Sequence, residues 1–555
     1  MSFFGLLQPL RTGRARSYGW VVNRYATICF CSLALAISFA PVRAAERTPM
    51  VFHRGNTAEP DSLDPAVITS APDGNVVGEI FMGLTTEDAE SHVIPGMAES
   101  WSTSEDGLLW TFKLRPGLKW SDGVPLTASD FVFGLRRLMD PQTAAKYASV
   151  EYVIKNAEEV NSGKLPVEQL GVRALDDRTL EITLAQQAPF LPALMKHWTA
   201  YPIPEHAIKK YGDAWTKPGN LVSNGAYTAA EWRPNEYVRL VKNPLFYDAA
   251  NVKIDEVYFY PINGEAAALA RFRAGELDAN IGIIAFPVSQ AAWLKENMPG
   301  QAFTTPILGT DYLVLNMRKA PFNDLRLRRA VALCLDSQTL IDKVTRDGRV
   351  PAYAFVPAGI ANYTAGARFD FADWPMERRR TEAKSLLAQA GYGPDHPLSF
   401  EYKYMVTKDG RRSAIGVAAL MKECGIISRP IGNEFRIAYA AIQAGDFEVA
   451  TAAWGADYND PQNFLFLIDS RSGVFNYAGY KNPEFDRLMD EAKATLDLQK
   501  RAELMARAEQ IALNDIAVLP MAVKTARELV APYVKGFVPN AEDFHRTRFM
   551  WLEPH

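Results

Sequence analysis

The stretch WGADYNDPQNF, residues 454–464, holds two aspartates, and only one has an evident structural duty. Asp460 precedes Pro461 and an apolar run from Phe464 to Ile468, so it reads as a helix N-cap with proline at the first helical position. Loss of such a cap costs roughly 0.5–2 kcal/mol. Asp457 has no such duty. It falls in a loop between Trp454 and Tyr458, where a carboxylate in a partly apolar setting is a candidate binding group. The plain alternative is a solvated loop acid.

No machinery for covalent or acid–base chemistry accompanies these residues. Phosphate-loop, dinucleotide-binding, nucleophile-elbow, zinc-peptidase, paired Cys-x-x-Cys and EF-hand patterns are all missing. The seven histidines (His53, His92, His197, His206, His396, His545, His555) are scattered without metal-ligand spacing, so no catalytic residue, metal or cofactor is expected. A triad assembled from distant residues stays open, because triads are defined by geometry and not by order. Aromatic side chains, in contrast, are plentiful: 11 Trp, 22 Tyr and 29 Phe suffice to line a cleft as well as a core.

The elements that must position Asp457 can be read from periodicity. Upstream, Phe447, Val449 and Thr451 alternate with Glu448, Ala450 and Trp454, the period of a half-buried strand, which places Asp457 in a strand-to-helix loop. LLWTFKLRPG and KIDEVYFYPI read as further strands. LTASDFVFGLRRLMD reads as a helix, with Thr127 and Asp130 in capping-box spacing. EAAALARFRAGELD closes at Gly275, MERRRTEAKSLLAQAGYG ends at Gly391, and the stretch from Pro483 to Asp515 gives two more helices. The class is mixed α/β, and the length points to about two to four domains.

The ends bound the compartment. Residues 1–44 carry five arginines and no acid, and the apolar run from Ala26 to Ala40 is shorter than a bilayer span. With Val42-Arg43-Ala44 as a cleavage site, this is a signal peptide pattern, preceded by an unusually long basic leader. Without it the formal charge moves from −4 to about −9, so nucleic acid is not an expected partner. Cys334 and Cys424 are the cysteines left, each inside an apolar helix-like stretch, and are expected as two buried thiols.

Several segments in order resemble one family. EPDSLDPA (59–66), IPGMAESW (94–101), WTFKLRPGLKWSDGVPLTASDFVF (110–133), NGAYTAAEW (224–232), VKNPLFYD (241–248), APFNDLRLRRAVALCLD (320–336) and WGADYNDP (454–461) are similar to segments of the extracytoplasmic solute-binding proteins, family 5, of ABC importers. DPQTAAKYAS (140–149) and WGADYNDP favour the oligopeptide-binding branch. The resemblance implies a two-lobed periplasmic-binding-protein fold of type II with an additional inserted domain. Domain I would comprise 45–81, 207–309 and 525–555, domain II the insert 82–206, and domain III 310–524. The lobes would close over an oligopeptide and hand it to ABC permease subunits, the receptor acting as a periplasmic monomer without catalysis.

By the same resemblance, Asp457 would pair with the ligand's α-ammonium, backbone near Ala71 and at Gly455 would run beside the peptide, and Tyr147, Phe435 and Trp454 would line the cleft. The carboxyl end departs from the family pattern. Thr451, Ile442 and Thr345 stand where cations are expected, Asp409 and Gly410 where a histidine is expected, and Thr69 where an acid is expected. The ligand's far end is then amidated, longer than a tripeptide, or not a peptide carboxylate, with Arg411 or Arg412 as substitute cations. The alternatives are a receptor of this fold for another amine-bearing solute (a murein peptide, an opine-like compound, an antibiotic), an exported hydrolase, and a membrane-anchored structural protein.

Overall fold

The computed structural model describes residues 48–282, 284–363 and 366–555, without the side chains of Lys408, Phe435 and Arg436. The signal peptide expected at 1–44 lies outside the described residues. Among them no helix is long and apolar enough to cross a membrane.

One mixed sheet organises the chain. Its strands are β1 (Val51–Asn56), β2 (Tyr227–Arg233), β3 (Tyr237–Lys242), β4 (Glu256–Pro261), β5 (Ala279–Asn280), β6 (Ala302–Leu315), β7 (Ser399–Met405), β8 (Ile427–Asn433), β9 (Val449–Gly455) and β10 (Leu519–Val530). They run in the order β8-β7-β9-β6-β10-β5-β1-β4-β3-β2, with a short strand Val350–Pro351 added on β10. β1 pairs in parallel with β4 and β5, and β7 in parallel with β8 and β9, whereas β6 and β10 are antiparallel to each other. These two long strands join the halves of the sheet, and their register shifts between Pro306 and Thr310. The domain boundaries expected at 309/310 and 524/525 fall inside them.

Alternation along the joining strands sorts side chains between cores, as the two-residue period of a strand requires. Leu313 and Leu315 of β6 enter one cluster with α3 (Leu325–Cys334) and α4 (Lys408–Glu423), while Leu308, Tyr312 and Val314 enter a second with α5 (Leu498–Asn514). β9 does the same, sending Val449 to the first and Ala450 and Ala452 to the second. The other half of the sheet packs Phe52, Val257 and Phe259 into a third, larger core. That core continues without a break into a four-stranded antiparallel sheet (Ala98–Thr103, Leu109–Leu114, Thr179–Thr183, Val172–Asp176) and α2 (Ala128–Met139). The Thr127/Asp130 capping box at the start of α2 is present as expected. The result is the two-lobed mixed α/β fold, with the four-stranded layer as its addition.

One expectation fails. Cys334, the last residue of α3, and Cys424, just beyond α4, form a disulfide with Cα atoms 6.2 Å apart. Each cysteine sits in an apolar helical context, so sequence pattern alone favoured buried thiols; the packing of α3 beside α4 brings them together. Disulfides persist in oxidising compartments.

Candidate ligand site

β9 carries the site because its two edges are unequal. Toward β6 it is paired along its whole length, from Leu315 opposite Val449 to Gly309 opposite Gly455. Toward β7 it pairs only at Val449 and Ala450, opposite Tyr402 and Lys403. From Thr451 to Gly455 the β7-side edge therefore has no strand partner among the described residues, and Gly455 has open space where a side chain would stand. Such an edge is a template for an extended chain.

Asp457 lies just past this free edge. Its backbone N–H donates to Asn463 Oδ1 at 3.0 Å, and Trp454 Nε1 donates to the same oxygen at 3.0 Å, so one buried amide fixes both residues. The hydroxyl of Tyr147, three hundred residues away in sequence, donates to Asp457 Oδ1. Burial raises the Asp457 carboxyl above the ordinary aspartate value against the opposing hydrogen bonds from Tyr147 and Asn463. Burial and the neighbouring carboxylate likewise raise the Tyr147 phenol, which stays a donor. The arrangement is a half-buried carboxylate held by neutral donors, with no cation on it among the described residues.

Tyr147 is held from behind by aromatic packing. Its ring lies 5.6 Å from His197 and 6.2 Å from Trp198, and Trp198 presses on the first turn of α1 (Ala71–Ile80) at Gly74. A Cβ on Gly74 would sit 2.7 Å from that indole ring, so only glycine permits the approach. Ala71 opens this helix as an exposed residue. Beneath the platform, burial pushes Glu151 up to about 8 and His197 down to about 3, and both reach the Thr199 hydroxyl.

Asp460 does more than cap. Its Oδ1 accepts from the Gln462 N–H at 2.9 Å, as a cap should, but both oxygens also bind Arg501 of α5, at 2.5 and 2.9 Å, with both side chains buried. The Arg501 guanidinium in turn lies over Phe190, which stacks on Tyr458 at 4.8 Å. The cap reading was therefore incomplete, because the partner lies 41 residues downstream.

Of the other expected site residues, Trp454 is half-buried, packing edge-on against Phe466 and Phe475. The Phe435 side chain lies outside the described residues. Thr451 hydrogen-bonds Tyr402 across the β7–β9 divergence at 2.6 Å and lines a cavity of about 320 Å³ there, together with Asp409 and Gly410. Ile442 is core, 3 % exposed, and Thr345 is buried, with its carbonyl taken by Arg412 and its hydroxyl on Asp347 of the cavity wall. Arg412 is also bound to Asp409 at 3.1 Å, which removes it as a free substitute cation. The cavity's remaining charged residues, Asp311, Asp347, Arg349, Lys524 and Arg527, come from scattered segments and carry no motif by which sequence could have flagged them.

Among the described residues Glu528, Asp543 and His545 are brought close enough to hold a metal ion. Burial lowers the imidazole, but hydrogen bonds to Asp543 and Glu528 outweigh it and hold His545 at about 9. A protonated imidazole donates from both nitrogens and offers a metal no lone pair, so the trio is an ion-pair cluster.

The family model for bacterial extracellular solute-binding proteins, family 5, matches residues 92–476. The chain belongs to this family. It is 39% identical over 504 residues to the periplasmic oligopeptide-binding protein OppA of Salmonella typhimurium, covering 90% of this chain and 91% of that one. Among solved family structures, the unliganded open form of the murein tripeptide-binding protein MppA superposes with TM-score 0.82 at 34% identity, covering 92% and 98%. Haemophilus influenzae OppA in complex with RPPGFSPFR superposes with TM-score 0.75 at 36% identity, covering 91% and 99%. The relatives are solute-binding proteins and not enzymes.

Proposed function

We propose that this family 5 protein is a periplasmic receptor that captures oligopeptides and delivers them to an ABC permease. The observation that carries this reading is the free edge of β9 ending at Asp457. An extended peptide laid antiparallel on Thr451 to Gly455 meets strand-like hydrogen bonds that ignore its side chains, and its α-ammonium arrives at a carboxylate that no cation among the described residues occupies. Tyr147 and Asn463 then share the carboxylate with the ligand, while Trp454, Gly455 and the backbone at Ala71 bound the peptide's path. The relatives named above, one of them holding a nine-residue peptide, support the class of ligand.

In this reading the lobes of domains I and III close by flexing β6 and β10 near the Pro306 to Thr310 register shift, and ligand bridging both lobes shifts the population toward closure. The leader at 1–44 is cleaved on export and the receptor works as a monomer. A second reading, a receptor for a murein tripeptide or another amine-bearing solute, keeps the same ammonium site and is supported by the fit to the murein tripeptide-binding protein.

Native mass spectrometry of the exported protein, purified gently and then made to release what it holds, separates the two. A ladder of peptide masses is expected. A single mass, of a murein tripeptide or of a non-peptide amine, would replace the oligopeptide reading with the second one.

A further inference from the structure

Two one-turn helices meet behind Tyr147. Ala148–Glu151 follows directly on Tyr147, and Trp198–Ala200 follows directly on His197. The rings of Tyr147, His197 and Trp198 join the turns at one end. At the other end the fully buried Glu151 reaches Thr199. Resting on the peptide-receptor reading, we propose that Glu151 is a positioning residue of the ligand site: its carboxyl donates into a chain through Thr199 to His197 that sets the platform behind Tyr147 and so aims the Tyr147 hydroxyl at Asp457.

The direction of the chain follows from its donors. Thr199 Oγ1 lies 2.7 Å from His197 Nδ1 and 2.8 Å from Glu151 Oε1. A hydroxyl has one proton and cannot donate to both. His197 Nδ1 is already an acceptor, because it caps its turn by taking the Thr199 backbone N–H at 3.4 Å. The imidazole proton is then on Nε2, and the Thr199 hydroxyl donates to Nδ1. Toward Glu151 the Thr199 oxygen can therefore only accept, so Oε1 carries a proton. The second carboxyl oxygen agrees: Oε2 is buried with no hydrogen-bond partner among the described residues, which a neutral carboxyl tolerates better than an ionised one. Burial also pushes Glu151 up to about 8 and His197 down to about 3, both toward the neutral forms that this chain requires.

The charged groups nearby leave that proton in place. The facing turn offers His197 and, next to it, Lys196, whose ammonium is bound to Glu542 and whose charge helps to keep the imidazole neutral. Tyr147 precedes Glu151's own turn and is bound to Asp457. The helix Ala157–Asn161, packed on the same turn, presents Glu158 and Glu159 to solvent. Among the described residues only burial and Thr199 act on the Glu151 carboxyl, and no cation stands ready to receive its charge. Losing the proton would turn the Thr199 hydroxyl toward Glu151, away from His197, and place a bare charge under the platform.

Two readouts test this. In the exported chain, freed of ligand and labelled at the glutamate side-chain carboxyl carbon, the NMR resonance that Glu151→Gln removes should keep its protonated position at neutral pH and move near pH 8. A resonance already ionised at neutral pH overturns the chain. Calorimetric titration with tetra-alanine, from about pH 6.5 to about pH 9.5, then compares wild type with Glu151→Gln, whose amide N–H can donate to Thr199 throughout. The ligand's own α-ammonium titrates at roughly 7.7–8.0 and cancels in the ratio of the two affinities. That ratio should be near unity at neutral pH, and on the alkaline side wild type should bind roughly 3- to 10-fold more weakly than the variant, the worth of one neutral hydrogen bond. Thr199→Val should bind about 3- to 10-fold more weakly at neutral pH, and Thr199→Ser should restore affinity. In a Tyr147→Phe background the ratio should stay near unity at every pH, because the hydroxyl being aimed is gone. A ratio that never changes with pH, or a change that survives Tyr147→Phe in full, overturns the positioning role. If tetra-alanine does not bind wild type at all, the receptor reading falls and the ligand-site role with it, while the carboxyl resonance still decides the donor chain.

Discussion

Asp457 and Asp460 share one loop and differ in what answers their charge. Asp460 is buried against Arg501 in a two-pronged ion pair, complete within the protein. Asp457 is half-buried, held by the hydroxyl of Tyr147 and the amide of Asn463, with no cation on it among the described residues. The contrast teaches how one loop can hold one charge that the protein answers with a cation and another that it answers only with neutral donors. A closed ion pair resists exchange, because breaking it strands a buried charge. A carboxylate fixed by neutral donors keeps its charge for a visitor.

Removing one partner of the closed pair should have the largest effect. Asp460→Ala should lower unfolding free energy by about 3–5 kcal/mol, well above the value for a cap alone, because Arg501 is left buried and unpaired. Urea denaturation measures it, and a loss within the range of a simple cap would mean that Arg501 finds other partners. Asp457→Ala should reverse the pattern, with urea midpoint nearly unchanged and peptide affinity down by about 2–5 kcal/mol in calorimetric titration. Equal phenotypes for the two variants would erase the distinction. Tyr147→Phe should weaken binding by about 0.5–1.5 kcal/mol, since it removes one donor and leaves the charge.

The smallest effect is in pH. Because burial raises the Asp457 carboxyl, affinity for an ammonium ligand should fall on acidification at a higher pH than an ordinary aspartate would dictate. Protonating a group whose folded pKa is raised does not itself weaken the fold. Glu87 behaves oppositely: burial raises it, but Arg546, Lys196 and Arg548 outweigh that and hold it at about 2. Its contribution to stability is present above its ordinary value of 4.5 and is lost as pH falls toward 2. Peptide titrations alongside thermal melts across the acid range should show affinity failing before stability. Coincident loss would mean that Asp457 carries structural charge.

Local rules carried much of the reading. Strand β9, the capping box of α2, the helix ends at Gly275 and Gly391, and the strand-to-helix loop at Asp457 depend on neighbours within a few residues, where periodicity and backbone preference act. The ordered set of family-like segments supplied the fold class. What failed was non-local. Arg501 is 41 residues from Asp460, Tyr147 is 310 from Asp457, and Cys334 is 90 from Cys424; no pattern in a single chain announces such pairs. Ile442 shows the same limit from the other side, since correspondence in a linear pattern set it beside the cleft while its side chain packs in the core.

By itself, then, the sequence determined the mixed α/β class, the export pattern, the family and the singular position of Asp457, because composition, period and turn chemistry are properties of short stretches. Tertiary structure alone decided which charges are spent and which are spare. Arg501 is silenced by Asp460, 41 residues away, and Arg349 by the distant Asp311 as well as the nearby Asp347, while Lys524 has no ion-pair partner among the described residues. Charge pairing depends on distances of a few ångströms between segments whose order along the chain places no bound on their separation in space.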